Sequence, residues 1–336
     1  GRDALDVRKR NFYGKNRDMT PYGQQVTDNI LMDIVGELER TSDYRARRER
    51  ITTYNETNKV LKKGLSLTPV KFGISFTLTH LNQAGALVHA YTDGSVQVNH
   101  GGTEMGQGLY TKVAQIVAEE FGIGLDQVRI CATSTGKVPN TSEACSRAHQ
   151  ARIPLSATGF YATPNITWDR AKAQGRPFLY FAYGASCSEV TIDTMTGEMR
   201  VDQVDILHDV GRSLNPAIDL GQVEGAFVQG MGWLTTEELV YDGEGRLRTH
   251  APSTYKIPCA SDVPEIFNVA LYESKGNKED TIYRSKAVGE PPLMLGISVW
   301  TAIFNAVASV GRNVIPALDT PATPEAILHA IKSVRA

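Results

Sequence analysis

The sequence predicts an α+β fold, and three observations carry that reading. Some stretches repeat apolar residues at helical spacing and others alternate them, so both element types are present. The two kinds follow one another without the strand–helix–strand rhythm of a parallel α/β protein. A hairpin and a glycine-rich, helix-opening loop also lie side by side around His100. With 336 residues, 41% of them hydrophobic and 21% charged, the chain is long enough for two ordinary domains and a substantial core.

In order, residues 1–22 are polar and turn-rich. From Gln24 to Arg40, Val26, Ile30, Leu31, Ile34, Val35 and Leu38 predict a helix, and Thr41-Ser42-Asp43 caps a second one running to about Asn58. Lys62-Lys63-Gly64 is expected to close this helical section. The basic cluster Arg45–Arg50 reads as a solvated helix face. Val70, Phe72, Ile74, Phe76 and Leu78 then alternate with smaller or polar residues, the pattern of a strand with one buried face. Ala86–Tyr91 and Val96–Asn99 form a hairpin turning at Asp93-Gly94. Leu109, Val113, Ile116, Val117 and Phe121 share a helical face that ends at Gly122, and Val128–Ala132 is a short strand. Tyr180–Cys187, Glu189–Ile192 and Arg200–Leu207 belong to a second sheet region. Asn215-Pro216 starts a helix in which Gly221, Gly225 and Gly232 suggest close packing, because a helical glycine costs about 1 kcal/mol against alanine. Phe267–Leu271 is a strand, Leu293 to about Val310 a long apolar helix, and Thr323-Pro324-Glu325 opens the last helix.

A formal charge of −2 points to neither nucleic acid nor an anionic membrane, and no signal peptide or membrane-spanning run is apparent. Four scattered cysteines, Cys131, Cys145, Cys187 and Cys259, lack iron–sulfur spacing and read as free thiols in a reducing, cytoplasmic setting. The seven histidines, His89 and His100 among them, form no metal-ligand pattern and read as structural.

Two places suggest chemistry. In His100-Gly101-Gly102-Thr103-Glu104-Met105-Gly106-Gln107-Gly108, glycines let the backbone approach a bound group, and a helix start presents free N–H donors suited to an anionic cofactor. On these residues alone, a turn that merely starts a helix is the simpler account. Glu290 precedes Pro291 and so should be extended, and it stands before a helix whose dipole favours a carboxylate. Such a carboxylate can act as a general base. By position alone, a helix-capping glutamate is the simpler account.

Gly101–Lys112, the run Asp209-Val210-Gly211-Arg212-Ser213-Leu214-Asn215-Pro216 continuing to Gly230, and Ser285–Leu295 change that balance together. In order and wording they closely resemble the molybdopterin-binding part of the xanthine oxidase family of molybdenum hydroxylases, as its xanthine dehydrogenases have it. Phe72–Thr77 and Pro252–Pro258 fit as well, so the resemblance covers almost the whole chain. It implies the C-terminal portion of the family's α+β molybdenum-cofactor domain, and hydroxylation of purines, hypoxanthine to xanthine to urate, with oxygen from water. It further implies that Glu290 is the general base acting on the attacking hydroxyl and that Gln107 is an amide near the molybdenum ligands. Met105 and Gly106 would be backbone neighbours of the cofactor and Gln222 a pterin contact. Phe76 would stack on the purine with Thr77 beside it. No protein side chain is expected to ligate the metal, since the pterin holds the molybdenum.

The resemblance also implies what lies elsewhere. An upstream molybdopterin subdomain is missing from the matched pattern, and electrons should pass to 2Fe-2S clusters, FAD and NAD on partner domains or a partner subunit. An oligomer is expected, and the chain reads as part of a larger enzyme that is inactive alone. After Val138-Pro139-Asn140-Thr141-Ser142 a small-residue loop of the family is absent, and the pattern resumes at Leu155. This predicts a segment excised between Ser142 and Glu143, with residues 1–65 a helical edge segment, 66–142 the first part of the cofactor domain and 143–336 its remainder. Two alternatives stay open: the same chemistry on aldehydes or another N-heterocycle, and a non-catalytic folding or assembly module that docks the iron–sulfur partner.

Overall fold

Only the first half of the alternating run, residues 70–74, is strand, and it is the tail of a longer one, β1 (Leu61–Ile74). This strand begins where the sequence suggested a helix end, and both lysines there are used by it. Lys62 Nζ donates to the Asn55 and Asn58 carbonyls, and Lys63 Nζ lies 3.0 Å from Glu189 and 2.9 Å from Asp202. Gly64 is a requirement of packing, since a Cβ on it would fall 1.9 Å from the Ala302 carbonyl oxygen.

The structure, a computed structural model, describes residues 2–132, 155–311 and 314–335. It divides into two compact units, one of residues 1–19, 25–72 and 181–336, the other of residues 20–24 and 73–180. The predicted excision at Ser142–Glu143 lies outside the described residues.

The first unit is built on a four-stranded sheet of β1, β8 (Tyr180–Asp193), β9 (Met199–His208) and β10 (Ile266–Leu271), in that order. β8 is one continuous strand, and its ladder with β9 shifts register between Glu189 and Val190. β10 runs parallel to β9. The helices are α1 (Ala4–Arg10), α2 (Leu31–Thr41), α3 (Tyr44–Thr57), α5 (Pro216–Thr235), α6 (Ile297–Ala308) and α7 (Pro324–Arg335). Asn215 caps α5 as expected, its side chain accepting from the Ile218 amide at 3.1 Å. The core joins sheet to helices through Ile192, Val204, Ile206, Phe227, Val299, Ile303 and Ile327, all buried. The apolar stretch Pro291–Ala308 is long enough to cross a membrane, but its buried side chains are part of this core.

Four local expectations change here. Residues 24–30 are not helical, and α1 occupies a stretch expected to be turns. Asp43 takes a left-handed backbone (φ 54°) without a side-chain cap. The Arg45–Arg50 cluster is not all solvated, because Arg47 is buried between Glu189 (3.0 Å) and Asp205 (2.7 Å). Side-chain spacing could not reveal that α3 turns this arginine onto the sheet.

The second unit carries a sheet of order β4–β3–β2–β5, from β2 (Gln83–Ala90), β3 (Val96–His100), β4 (Val128–Ile130) and β5 (Ser156–Ala162). The hairpin is as predicted, with Gly94 at φ +87°. α4 (Leu109–Phe121) ends at Gly122 in the left-handed region, φ +63°. A small ribbon, β6 (Thr167–Asp169) with β7 (Gln174–Arg176), completes the unit. Residues 20–24 are stitched into it, Gln24 Nε2 donating to the Phe178 carbonyl at 2.7 Å.

Candidate active site

In the second unit the glycine-rich loop uses its own anion. Glu104 Oε1 accepts from the amides of Gly106 (2.9 Å) and Gly108 (3.0 Å), and Oε2 from that of Tyr110 (3.0 Å). The Tyr110 amide foremost, with those of Gly106 and Gly108, holds the Glu104 carboxyl below the usual carboxylate range. The helix start is therefore not the open donor set expected of it. Gln107 is also tied locally, its Nε2 donating to the Thr103 carbonyl at 2.7 Å and its Oε1 accepting from the Met105 amide at 2.5 Å. A primary amide has two N–H bonds and two lone pairs, so half of its capacity is left for a ligand. Met105 is 82% exposed, and Gly106, at φ +97°, has nothing within 4 Å of where a Cβ would stand. His100, expected to be structural, packs locally. Its Nδ1 accepts from the Gly102 amide at 3.1 Å and its ring meets Tyr110 edge-on.

Phe76 and Thr77, in the same unit, lie beyond the end of β1 and not on a buried strand face. Ser75 takes φ +95°, and the chain then turns over Asn82, whose side chain brackets the Phe76 amide (3.1 Å) and carbonyl (2.9 Å). The turn leaves Phe76 47% exposed, and Thr77 is exposed beside it. Core packing does not account for this ring.

Gln222 and Glu290 both belong to the first unit, and Gly289, just before Glu290, lies near Gln222. A Cβ on Gly289 would lie 3.8 Å from Gln222 Oε1. Gln222 is half-buried on α5, where Gly221 and Gly225 are exposed with open space at their missing Cβ positions. Of the three α5 glycines expected to pack closely, Gly232 does so and is joined by Gly230, whereas Gly221 and Gly225 do not. A Cβ on Gly230 would meet the Leu293 carbonyl at 2.1 Å, and one on Gly232 would meet Pro258 at 2.5 Å. Glu290 precedes the 3-10 turn Pro291–Gly296 with helical, not extended, backbone (φ −91°, ψ −40°). It is exposed and its side chain makes no capping hydrogen bond, so helix capping does not explain it.

Two further groups of the first unit were not singled out by sequence. Lys286 and Asp209 form a buried pair, Nζ to Oδ2 2.7 Å, and Lys286 Nζ also donates to the Phe181 carbonyl at 3.0 Å. Asp28 lies 3.7 Å from the same ammonium and accepts from the Tyr183 hydroxyl at 3.3 Å. Lys71 faces Asp28 too; burial pushes its ammonium down to about 8 and Asp28 pulls the other way. Both halves of the pair stand in the motif runs at 209–216 and 285–295, the one sign in the sequence that could have drawn attention to them.

Each unit, taken by itself, offers features that suit a large polar cofactor. Bare, open glycine backbone stands beside neutral amides in both units, at Gly106 with Gln107 and at Gly221 and Gly225 with Gln222. Among the described residues no group of three or more His, Cys, Asp or Glu side chains could hold a metal ion.

Comparison with known proteins agrees. The model of the molybdopterin cofactor-binding domain matches residues 37–148 and 142–264. Xanthine dehydrogenase/oxidase of Rattus norvegicus is 45% identical over 375 aligned positions, covering 98% of this chain. Xanthine dehydrogenase of Dictyostelium discoideum is 44% identical over 97% of the chain, and aldehyde oxidase 2 of Mus musculus 41% over 95%. The chain spans 28% of the length of the first of these relatives and 27% of the other two. In fold it is similar to the aldehyde oxidoreductase of Desulfovibrio gigas, with a TM-score of 0.80 at 22% identity over 98% of this chain and 38% of that one. Quinoline 2-oxidoreductase of Pseudomonas putida 86 gives 0.78 at 21% identity, over 98% of this chain and 49% of that one. The chain belongs to the molybdopterin cofactor-binding domain family, within the xanthine oxidase family of molybdenum hydroxylases.

Proposed function

We propose that this chain is the catalytic cofactor-domain portion of a xanthine dehydrogenase, hydroxylating hypoxanthine to xanthine and xanthine to urate. The reaction replaces a ring C–H by C–OH with oxygen from water and releases two protons and two electrons. The bound molybdopterin cofactor supplies the two-electron oxidation. From this chain, Glu290 receives on a carboxylate oxygen the proton that the attacking hydroxyl gives up. Gln107 directs its spare amide capacity at the cofactor, Met105 and Gly106 offer backbone, and Gln222 meets the pterin. Phe76 stacks on the purine and Thr77 lies at its edge. The electrons leave to 2Fe-2S, FAD and NAD centres outside this chain. A reducing compartment, the cytoplasm, fits the three described cysteines, all free.

The observation that carries this reading is Glu290 itself. An exposed carboxylate with no capping role follows Gly289, whose Cβ position is 3.8 Å from Gln222 Oε1, in the run that resembles the family's catalytic segment. Glu290→Gln keeps the shape and removes the basic oxygen. In the loaded enzyme its turnover of xanthine should fall by roughly two to four orders of magnitude with the fold intact. Near-normal turnover would end the assignment. The 41% identity to aldehyde oxidase 2, close to the 45% of the first relative, keeps an aldehyde substrate as the second reading. Competition between xanthine and an aromatic aldehyde for the wild-type enzyme separates the two.

A further inference from the structure

Glu290 sits between two fixed points of the first unit. Downstream, Pro291, Pro292 and Leu295 are buried, and the 291–296 turn lies against α5 at Gly230. Upstream, the segment is laced to the end of β9. Arg212 N donates to the Arg284 carbonyl at 3.1 Å, Gly211 bridges Ser285, and Lys286 N donates to the Val210 carbonyl at 2.8 Å. Gly211 must be glycine for this approach, being at φ +64° with its Cβ position 2.4 Å from the Arg284 carbonyl oxygen. Lys286 carries both a rung of this lacing and the buried ion pair. Its partner Asp209 also accepts from the Gly211 amide at 2.9 Å, so one carboxylate holds the turn with Oδ1 and the lysine with Oδ2.

We propose that Lys286 and Asp209 are positioning residues for Glu290, a buried clamp that fixes the upstream end of the segment carrying the base. This rests on the reading of Glu290 as the base. Such a pair is a costly way to fill a core, because two charges lose their water, and apolar side chains of similar volume often serve stability as well. What the pair adds is direction. Each charge accepts few geometries, and Nζ is held at once by Asp209, by the Phe181 carbonyl and, at longer range, by Asp28. Val288, buried between clamp and base, transmits the placement, while Gly289 keeps the surface beside Gln222 low.

The test uses the full-length, molybdenum-loaded enzyme in four forms: Lys286→Met, Glu290→Gln, both together, and Lys286→Met with Asp209→Leu, which removes both charges so that none is left unpaired. Lys286→Met should lower kcat about ten- to a hundredfold, the scale of a displacement near 1 Å, with KM within about twofold and molybdenum content unchanged. In the cofactor-free protein its amides at 287–290 should exchange faster with deuterium, a readout independent of turnover. In the Glu290→Gln background Lys286→Met should add less than about twofold, because it acts through the missing base. A loss that multiplies in that background would overturn the proposal, as would normal kcat in Lys286→Met beside a collapsed Glu290→Gln. Failure of both lysine variants to fold would overturn it too, making the pair structural alone. Near-normal turnover in Glu290→Gln would instead remove the base reading.

Discussion

The groups that shape this site are often satisfied by near neighbours, and the chemistry lies in what they leave over. Glu104 takes the donors at the start of α4, so the loop is held by its own carboxylate and does not present a bare helix end. His208, at the end of β9, is the opposite case. Its imidazole is completely buried, and burial pushes it down to about 4 from an ordinary 6.5. An unfolded chain takes up this proton near pH 6.5 and the folded protein only near 4. Between those values the unfolded state binds more protons, so stability is full above about 6.5 and is lost as pH falls toward 4. The loss from pH 7 to pH 5 should be about 2 kcal/mol from this residue. Denaturant unfolding of wild type and His208→Leu at both pH values checks it, and the variant should be less sensitive to pH by that amount. Equal pH dependence would show that the imidazole titrates normally.

Among the elements, α5 shows how one residue type does two jobs. Gly230 lies where the 291–296 turn touches the helix, and a methyl group there would overlap the Leu293 carbonyl. Gly225 is open to its surroundings. Gly230→Ala should destabilise by about 1–3 kcal/mol through overpacking and displace the segment that bears Glu290. Gly225→Ala should stabilise by about 0.5–1 kcal/mol, because an exposed helical glycine has only its conformational freedom to lose. Thermal unfolding of the two variants should move in opposite directions, and a shift of the same sign in both would refute the packing assignment. β1 teaches the same lesson in reverse. Its first residues looked like a helix end, yet Lys62 and Lys63 point to partners on α3, the loop after it, β8 and β9, which no local pattern encodes.

At the scale of the whole molecule, the two units interleave along the chain, and both contribute residues with an expected role. The comparison with the rat protein runs over 375 positions although this chain has 336 residues, so at least 39 positions (375 − 336) face no residue here. The match to the cofactor-domain model breaks into two pieces that meet at residues 142–148. Both observations support our proposal that a segment has been excised between Ser142 and Glu143. Mass spectrometry of the purified natural protein decides it. Trypsin would release the peptide Val138–Arg147 only if Ser142 and Glu143 are joined, and we expect that peptide to be absent, replaced by peptides of a longer chain. Finding it would establish a truly shortened cofactor domain.

What depends on neighbours within a few residues is legible in the chain's order alone. The hairpin at Gly94, the end of α4 at Gly122 and the start of α5 at Asn215-Pro216 follow from backbone conformations and caps that short stretches encode. The long motif runs also identified the family, because so many residues do not fall into one fixed order by chance. Which charges are buried and which aromatic rings are not emerges with the assembled fold. Arg47 sits in a solvent-like pattern yet lies against the sheet, and Phe76 continues a core-like pattern yet turns outward after Ser75. The Asp209–Lys286 pair, 77 residues apart, exists only because the end of β9 and the segment before Glu290 lie side by side. Burial and long-range pairing are properties of the assembled elements, and spacing along a chain does not specify which elements meet.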